Sequence, residues 1–193
     1  MIRRNAKRLQ RVTENVLDVT RIESGSFGLK KELFDLNEVI MAVLAAYGSD
    51  IKKADQLKII LTSKESFYVE ADKVRIAQVI SNLLNNAMKF TQEGTIAISC
   101  NKMEHDNDKH SATFCMKDTG VGIHPEIYPK LFSKFASHSD GGIGLGLFLC
   151  KNIVNTQGSR IWAENNPDGK GSAFFFTLPL HHSSRDVKDR PQT

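Results

Sequence analysis

The sequence is poor in covalent and metal staples. Its three cysteines, Cys100, Cys115 and Cys150, are odd in number, far apart and form no C-x-x-C pair. That pattern suggests neither a disulfide framework nor a zinc site, and predicts buried free thiols in a reducing compartment. Long hydrophobic runs are also missing. The longest strongly apolar run without a charge, GGIGLGLFLC, is about half a membrane span and rich in glycine, so neither a transmembrane helix nor a signal peptide is expected. Charge of one sign is scarce: the net charge is +4 over 193 residues, and the excess crowds into Arg3, Arg4, Lys7, Arg8 and Arg11. A nucleic-acid-binding protein is therefore not indicated. What is there, 40% hydrophobic and 25% charged residues, suffices for a conventional globular core.

Ile2, Leu9 and Val16 share one heptad position and Val12 and Val19 another, with Asn5 in the remaining core slot. Ala6, Leu17 and Ile22 widen the stripe, which predicts a bundle-type helix from Ile2 to about Glu23. A helix at full amphipathic strength from residue 2 reads as part of something longer. ESGSFG breaks it, a strand is expected near Leu29 to Phe34, and Asp35 or Asn37 caps a second helix. LKIILT and FYVE read as strands around a polar turn, ADKVRIAQVISNLLNNAMKFT as a long helix, and GTIAISC with ATFCMKD as an antiparallel pair. A helix from about Leu145 to Asn155 precedes the strands RIWAE and SAFFFTL, and the tail from His181 lacks the apolar residues to fold. Clustered strands with interspersed helices, without strict βαβ alternation, predict an α+β two-layer sandwich behind one long amphipathic helix.

Three asparagines sit in the apolar-periodic stretch SNLLNNAMKF, although asparagine is a mediocre helix former. At about 100° per residue, Asn82, Asn86 and Lys89 share a polar stripe bordering the buried face, while Asn85 turns away toward solvent. Such a stripe suits a cleft, where amide oxygens meet a hard cation and a lysine meets an anion. DTGVGI places Asp118 at a strand end, in alternation with Phe114 and Met116, beside Gly120, Gly122 and Ile123. A carboxylate next to an apolar slot can accept the exocyclic amine of a purine. In GGIGLGLFLCKNIV, Gly142, Gly144 and Gly146 lead into an apolar helix whose N-terminus would face phosphate. The spacing is neither the dinucleotide fingerprint nor a P-loop.

NLLNNAMKFT, DTGVGI, LFSKF and GGIGLGL, in this order, resemble the N, G1, F and G2 boxes of sensor histidine kinases, whose catalytic domain has the Bergerat ATP-binding fold. The likeness runs from about Gly28 to Leu180, and residues 1–25 are similar to the second helix of that family's dimerisation and phosphotransfer hairpin, leaving 26–180 as catalytic domain and 181–193 as a disordered tail. The resemblance implies ATP and Mg²⁺ as cofactors, with Asn86 as metal ligand, Asn82 its partner one turn earlier, and Lys89 a phosphate contact. It further implies that Asp118 binds the adenine amine and that Gly120, Gly122 and Ile123 shape the base pocket. Phe132 and Phe135 would anchor a lid from about His124 to Gly141, and Gly142, Gly144 and Gly146, with Leu147 beside them, would close it over the triphosphate.

The implied reaction is transfer of the γ-phosphoryl group to a histidine, with Asn82, Lys89 and Lys134 as candidate catalytic groups. Implied partners are a His-bearing hairpin helix in a homodimer and a response regulator receiver domain, in the cytoplasm, with any membrane anchor upstream. Two features depart from the family. None of His105, His110, His124, His138, His181 and His182 lies in a helical acceptor box, and Ile143 stands where a hydroxyl residue is common. Two alternatives are a non-enzymatic nucleotide-binding regulator and a Bergerat-fold ATPase. Against the latter, Asn82 occupies the place of the glutamate base, and an amide cannot take a proton.

Overall fold

The first helix, α1 (Ile2–Glu23), follows the expected stripe and ends at a turn in which Gly25 takes φ 68°. The computed structural model describes residues 2–48, 51, 56–63, 65–104, 110–136 and 143–181, the side chains of 2–8, 11 and 104 excepted. Only one edge of the α1 stripe packs on the rest of the chain. Val19 is buried and Val12 and Ile22 are half-buried, whereas Leu9, Val16 and Leu17 stay exposed. Asp18, 5% exposed, anchors the docked edge by accepting Nη1 of Arg75 at 2.7 Å and Nε2 of Gln78 at 2.9 Å.

Strand β1 (Glu32–Asp35) starts later than the apolar pattern suggested. The main chain ahead of it is diverted, because the N–H of Lys30 donates to Oδ2 of Asp72 at 2.9 Å instead of entering a ladder. Asp35 rather than Asn37 caps α2 (Leu36–Ala46): its Oδ1 accepts the N–H of Asn37 at 3.0 Å and of Phe67 at 3.1 Å. The stretches around the polar turn become β2 (Leu57–Leu61) and β3 (Tyr68–Ala71), but they do not pair with each other. The remaining elements are α3 (Lys73–Phe90), β4 (Gly94–Glu104), β5 (His110–Asp118), a 3-10 turn at Tyr128–Lys130, α4 (Gly146–Thr156), β6 (Ile161–Asn165) and β7 (Ser172–Pro179).

The main sheet runs β2-β4-β5-β7-β6, with β2 parallel to β4 and the other neighbours antiparallel, while β1 and β3 form a separate two-stranded sheet. A bridge from Val69 to Leu180, extended by the His181 N–H to the Tyr68 carbonyl at 2.8 Å, ties the small sheet to the end of the large one. Residues 182–193, the bulk of the expected disordered tail, lie outside the described residues.

Alternation decides the layers. Ile96, Ile98 and Cys100 of β4, Ala112, Phe114 and Met116 of β5, and Phe174, Phe176 and Leu178 of β7 are buried on one face. Against them lie Leu36 and Ile40 of α2, Ile76, Ile80, Leu83 and Leu84 of α3, and Leu149 and Ile153 of α4. Phe114 and Phe176 stack at the centre with centroids 4.6 Å apart, each burial worth about 3 kcal/mol. This is the expected α+β two-layer arrangement, and it fixes α3, the end of β5 and the start of α4 around one opening.

The cysteines follow the expected burial at two of three positions. All three are free; Cys100 and Cys150 are buried, Cys115 half-buried. Burial first, then the neighbouring Asp35 and Cys115, pushes the Cys100 thiol up to about 12. Burial does the same to Cys150, against weaker opposing contacts from Asn82 and the main chain.

Candidate nucleotide-binding cleft

Asp72 begins the site by capping α3: its Oδ1 accepts the N–H of Arg75 at 3.1 Å, and its own N–H donates to the buried Oε1 of Gln157 at 2.9 Å. The helix phase so established carries Asn82 and Asn86 to the edge of a cleft of about 550 Å³. Its walls come from α3, the loop after β5, the segment 123–136, the start of α4, the start of β7 and one face of α1. Asn82, Asn86, Lys89, Asp118, Gly122, Ile123, Gly144, Gly146 and Leu147 all line it.

At one end is Asp118, 3% exposed. Its Oδ1 accepts the N–H of Gly120 at 2.9 Å and of Ser172 at 3.3 Å, and its Oδ2 accepts the hydroxyl of Ser172 at 2.7 Å. Gly120 does not line the cleft; it serves Asp118 from behind, and a Cβ there would lie 2.3 Å from the Phe90 carbonyl oxygen. Gly122 has φ 75°, and Ile123 and Phe174 give this end an apolar wall.

At the other end, helix α4 starts without a side-chain cap, so its first N–H groups are left for an anion. Asn82 is 6% exposed, and its Nδ2 finds no hydrogen-bond partner among the described residues; what it meets is the Cys150 thiol, a weak acceptor. A buried amide left this way suits a ligand oxygen. The start of α4 lies directly against this amide: a Cβ on Gly146 would sit 3.7 Å from Asn82 Oδ1, an ordinary contact distance. No group of three or more His, Cys, Asp or Glu among the described residues could hold a metal ion, so any cation here depends on amide oxygens and on its ligand. Asn86, half-buried and facing the cleft, has the oxygen chemistry for a magnesium–phosphate unit.

Several expectations need correction. Phe132 packs against the core, but Phe135 is 69% exposed with φ 60° and is not part of the core among the described residues; neither ring lines the cleft. What holds this segment is its main chain: a Cβ on Gly144, φ 71°, would come within 2.5 Å of the Phe135 carbonyl carbon. Tyr128 adds a tether through its hydroxyl to the Ala163 carbonyl at 2.9 Å. Lys134 does not line the cleft; it pairs with Glu23 of α1 and lies 5.2 Å from the Phe148 ring centroid. Asn85 is not solvated: it is half-buried, lines the cleft and donates to the Tyr47 hydroxyl and, at 2.7 Å, to the Ser81 carbonyl. Gly142 and the lid residues 137–141 lie outside the described residues.

Ser172, Leu131, and Val12 and Asn15 of α1 also form the cleft wall, beyond the expected site residues. Ser172 had a weak signal, as the only hydroxyl opening the strand SAFFFTL. Nothing in the local pattern of α1 pointed to this opening.

The profile described as histidine kinase-, DNA gyrase B- and HSP90-like ATPase matches residues 71–182, which contain α3 and every strand of the main sheet except β2. A hybrid signal transduction histidine kinase K from Dictyostelium discoideum is 33% identical over 190 residues, covering 91% of this chain and 16% of the relative. The solved catalytic domain of histidine kinase ThkA superimposes with a TM-score of 0.67 at 32% identity, over 78% of this chain and 96% of that one. A structure of the same kinase in complex with a response regulator protein matches at 30% identity and a TM-score of 0.68, over 90% and 49% of the two chains. The chain spans between 14% and 26% of the length of the curated relatives it matches.

Proposed function

Because the chain belongs to the histidine kinase-, DNA gyrase B- and HSP90-like ATPase family, as a catalytic ATP-binding domain of the histidine kinase type, we propose that its cleft binds ATP with Mg²⁺ and presents the γ-phosphate to a histidine. One observation carries the reading. A single cleft has a buried carboxylate beside an apolar wall at one end, and an unpartnered buried amide beside an uncapped helix start at the other.

The roles follow from the geometry. Asp118, held by Ser172 and Gly120, accepts the exocyclic amine of adenine. Asn86 holds the cation, which supplies charge neutralisation between phosphates when bound. Asn82 Nδ2 and the first N–H groups of α4 receive phosphate oxygens, and Lys89 adds positive charge at the cleft rim. An imidazole nitrogen then attacks the γ-phosphorus with its lone pair as the bond to the bridging oxygen breaks and ADP leaves; positioning and charge stabilisation do most of the work.

The acceptor in this reading is a histidine on a separate hairpin helix absent from this chain; the described histidines His110, His124 and His181 all lie off the helices. Residues 1–25 act as the second helix of that hairpin, residues 26–180 as the catalytic unit, and a homodimer and a response regulator receiver domain are the partners. Cytoplasmic placement belongs to the same reading. No helix among the described residues is long and apolar enough to cross a membrane.

A calorimetric titration of the chain with ATP, with and without magnesium, tests the reading. One-to-one binding strengthened by the metal is expected. No detectable binding in either condition would overturn it.

A further inference from the structure

We propose that Asn165 is a positioning residue for the base pocket and that, through Ile123, it sets the preference for adenine over guanine; this rests on the nucleotide reading of the cleft. Asn165 is the last residue of the edge strand β6 and is itself exposed. Its Oδ1 accepts the N–H of Ile123 at 2.7 Å and its Nδ2 donates to the Ile123 carbonyl at 3.0 Å. One side chain thus satisfies both main-chain groups of the residue that forms the apolar wall, much as a neighbouring strand would. The fit is close. A Cβ on Gly122 would lie 3.0 Å from Asn165 Oδ1 and 3.3 Å from the Gly171 carbonyl oxygen.

The next residue holds the other end of the same loop. Asn166, 5% exposed, donates through Nδ2 to the Asp118 carbonyl at 2.7 Å and to the Lys170 carbonyl at 2.6 Å. Two adjacent amides therefore span the loop from the acid to the apolar wall, although neither residue lines the cleft. The loop needs this support, since two of its four intervening residues are glycine. The width between carboxylate and wall is set from β6, not by the loop alone.

That width controls selectivity. At the same ring position adenine presents an amine and guanine a carbonyl, so a carboxylate attracts one and repels the other. The distinction holds only while the base cannot slide sideways, because hydrogen bonds weaken steeply away from linear geometry. Freeing Ile123 lets the base shift, which costs adenine its aligned contact and spares guanine part of the repulsion.

The experiment compares ATP and GTP binding by calorimetry for the wild-type chain, Asn165→Ala, Asn165→Asp, and the core-cavity control Val39→Ala, each checked for folding by circular dichroism. Asn165→Asp keeps the acceptor for the Ile123 N–H and loses the donor. Because Asn165 is exposed, both of its variants are expected to fold. The ATP-to-GTP affinity ratio should fall roughly tenfold in Asn165→Ala, mainly through weaker ATP binding, and should fall in Asn165→Asp, while Val39→Ala keeps it. If Asn165→Ala does not fold, the Asn165→Asp ratio decides. An unchanged ratio with both nucleotides weakened in proportion overturns the proposal, as does an equal fall in Val39→Ala. A wild-type chain that binds neither nucleotide overturns the nucleotide reading itself.

Discussion

Replacing Asp118 with asparagine separates its two duties, holding the loop and reading the base. In the folded chain the carboxylate accepts from Gly120 N–H, Ser172 N–H and the Ser172 hydroxyl at 2.9, 3.3 and 2.7 Å. The amide keeps an oxygen for the two N–H groups, and the Ser172 hydroxyl can rotate to accept from the new NH₂. What is lost is the charge assistance, about 1–2 kcal/mol, or a fall in Tm of roughly 3–6 °C for a chain of this size. The nucleotide arm is larger. An amine that met a carboxylate now meets an NH₂, which removes a hydrogen bond to a charged group worth about 1.5–3 kcal/mol, a roughly ten- to 150-fold loss of ATP affinity. Titration of ATP into Asp118→Asn at 20 °C, alongside a thermal melt, reads both arms. ATP affinity within twofold of wild type together with a lowered Tm would refute the base-reading role and leave Asp118 a structural acid.

Asn86→Ala should weaken ATP binding roughly ten- to hundredfold in magnesium and little in EDTA; equal weakening in both would remove Asn86 as a metal ligand. Asp18→Ala leaves Arg75, with a 19% exposed side chain, and Gln78 without their shared acceptor. It should cost about 3 kcal/mol and open α1 to limited proteolysis, and an unchanged melt would show the pair contributes nothing. The Cys100 and Cys150 thiols, neutral when folded up to about 12, ionise near 9 when unfolded. Their contribution to stability is complete below about pH 9 and is lost as pH rises toward 12, so an alkaline denaturation curve should shift to higher pH in Cys100→Ala/Cys150→Ala compared at equal neutral stability.

Residues that act through their own periodicity were legible early. Helix α3 announces itself by the run from Ile76 to Ala87 and by Asp72 ahead of it, and the phase of that helix places Asn82, Asn86 and Lys89 on one stripe. Asp118 could be placed by counting in twos along β5, and Gly144 and Gly146 by standing before an apolar helix. Where one residue was judged by itself, the outcome depended on its neighbours. Phe135 carries the same ring as Phe132, but only Phe132 meets the core, because the chain turns through φ 60° at Phe135 to pass over Gly144. Lys134 looked like a free cation and is claimed by Glu23, 111 residues away in sequence.

The sequence by itself determined the α+β class, the boundaries of most elements and the places of Asp118, Asn82 and Asn86 on their strand and helix, because these rest on local periodicity. Tertiary structure alone decided the pairing of β2 with β4 and β3 with β1, the docking of α1 through Asp18, and the lacing of Asp118 to Ser172 and of Ile123 to Asn165. The side-chain contacts among them join residues 42 to 60 positions apart. A single hydroxyl or amide carries no period, and it acquires a role only when packing brings its partner within about 3 Å.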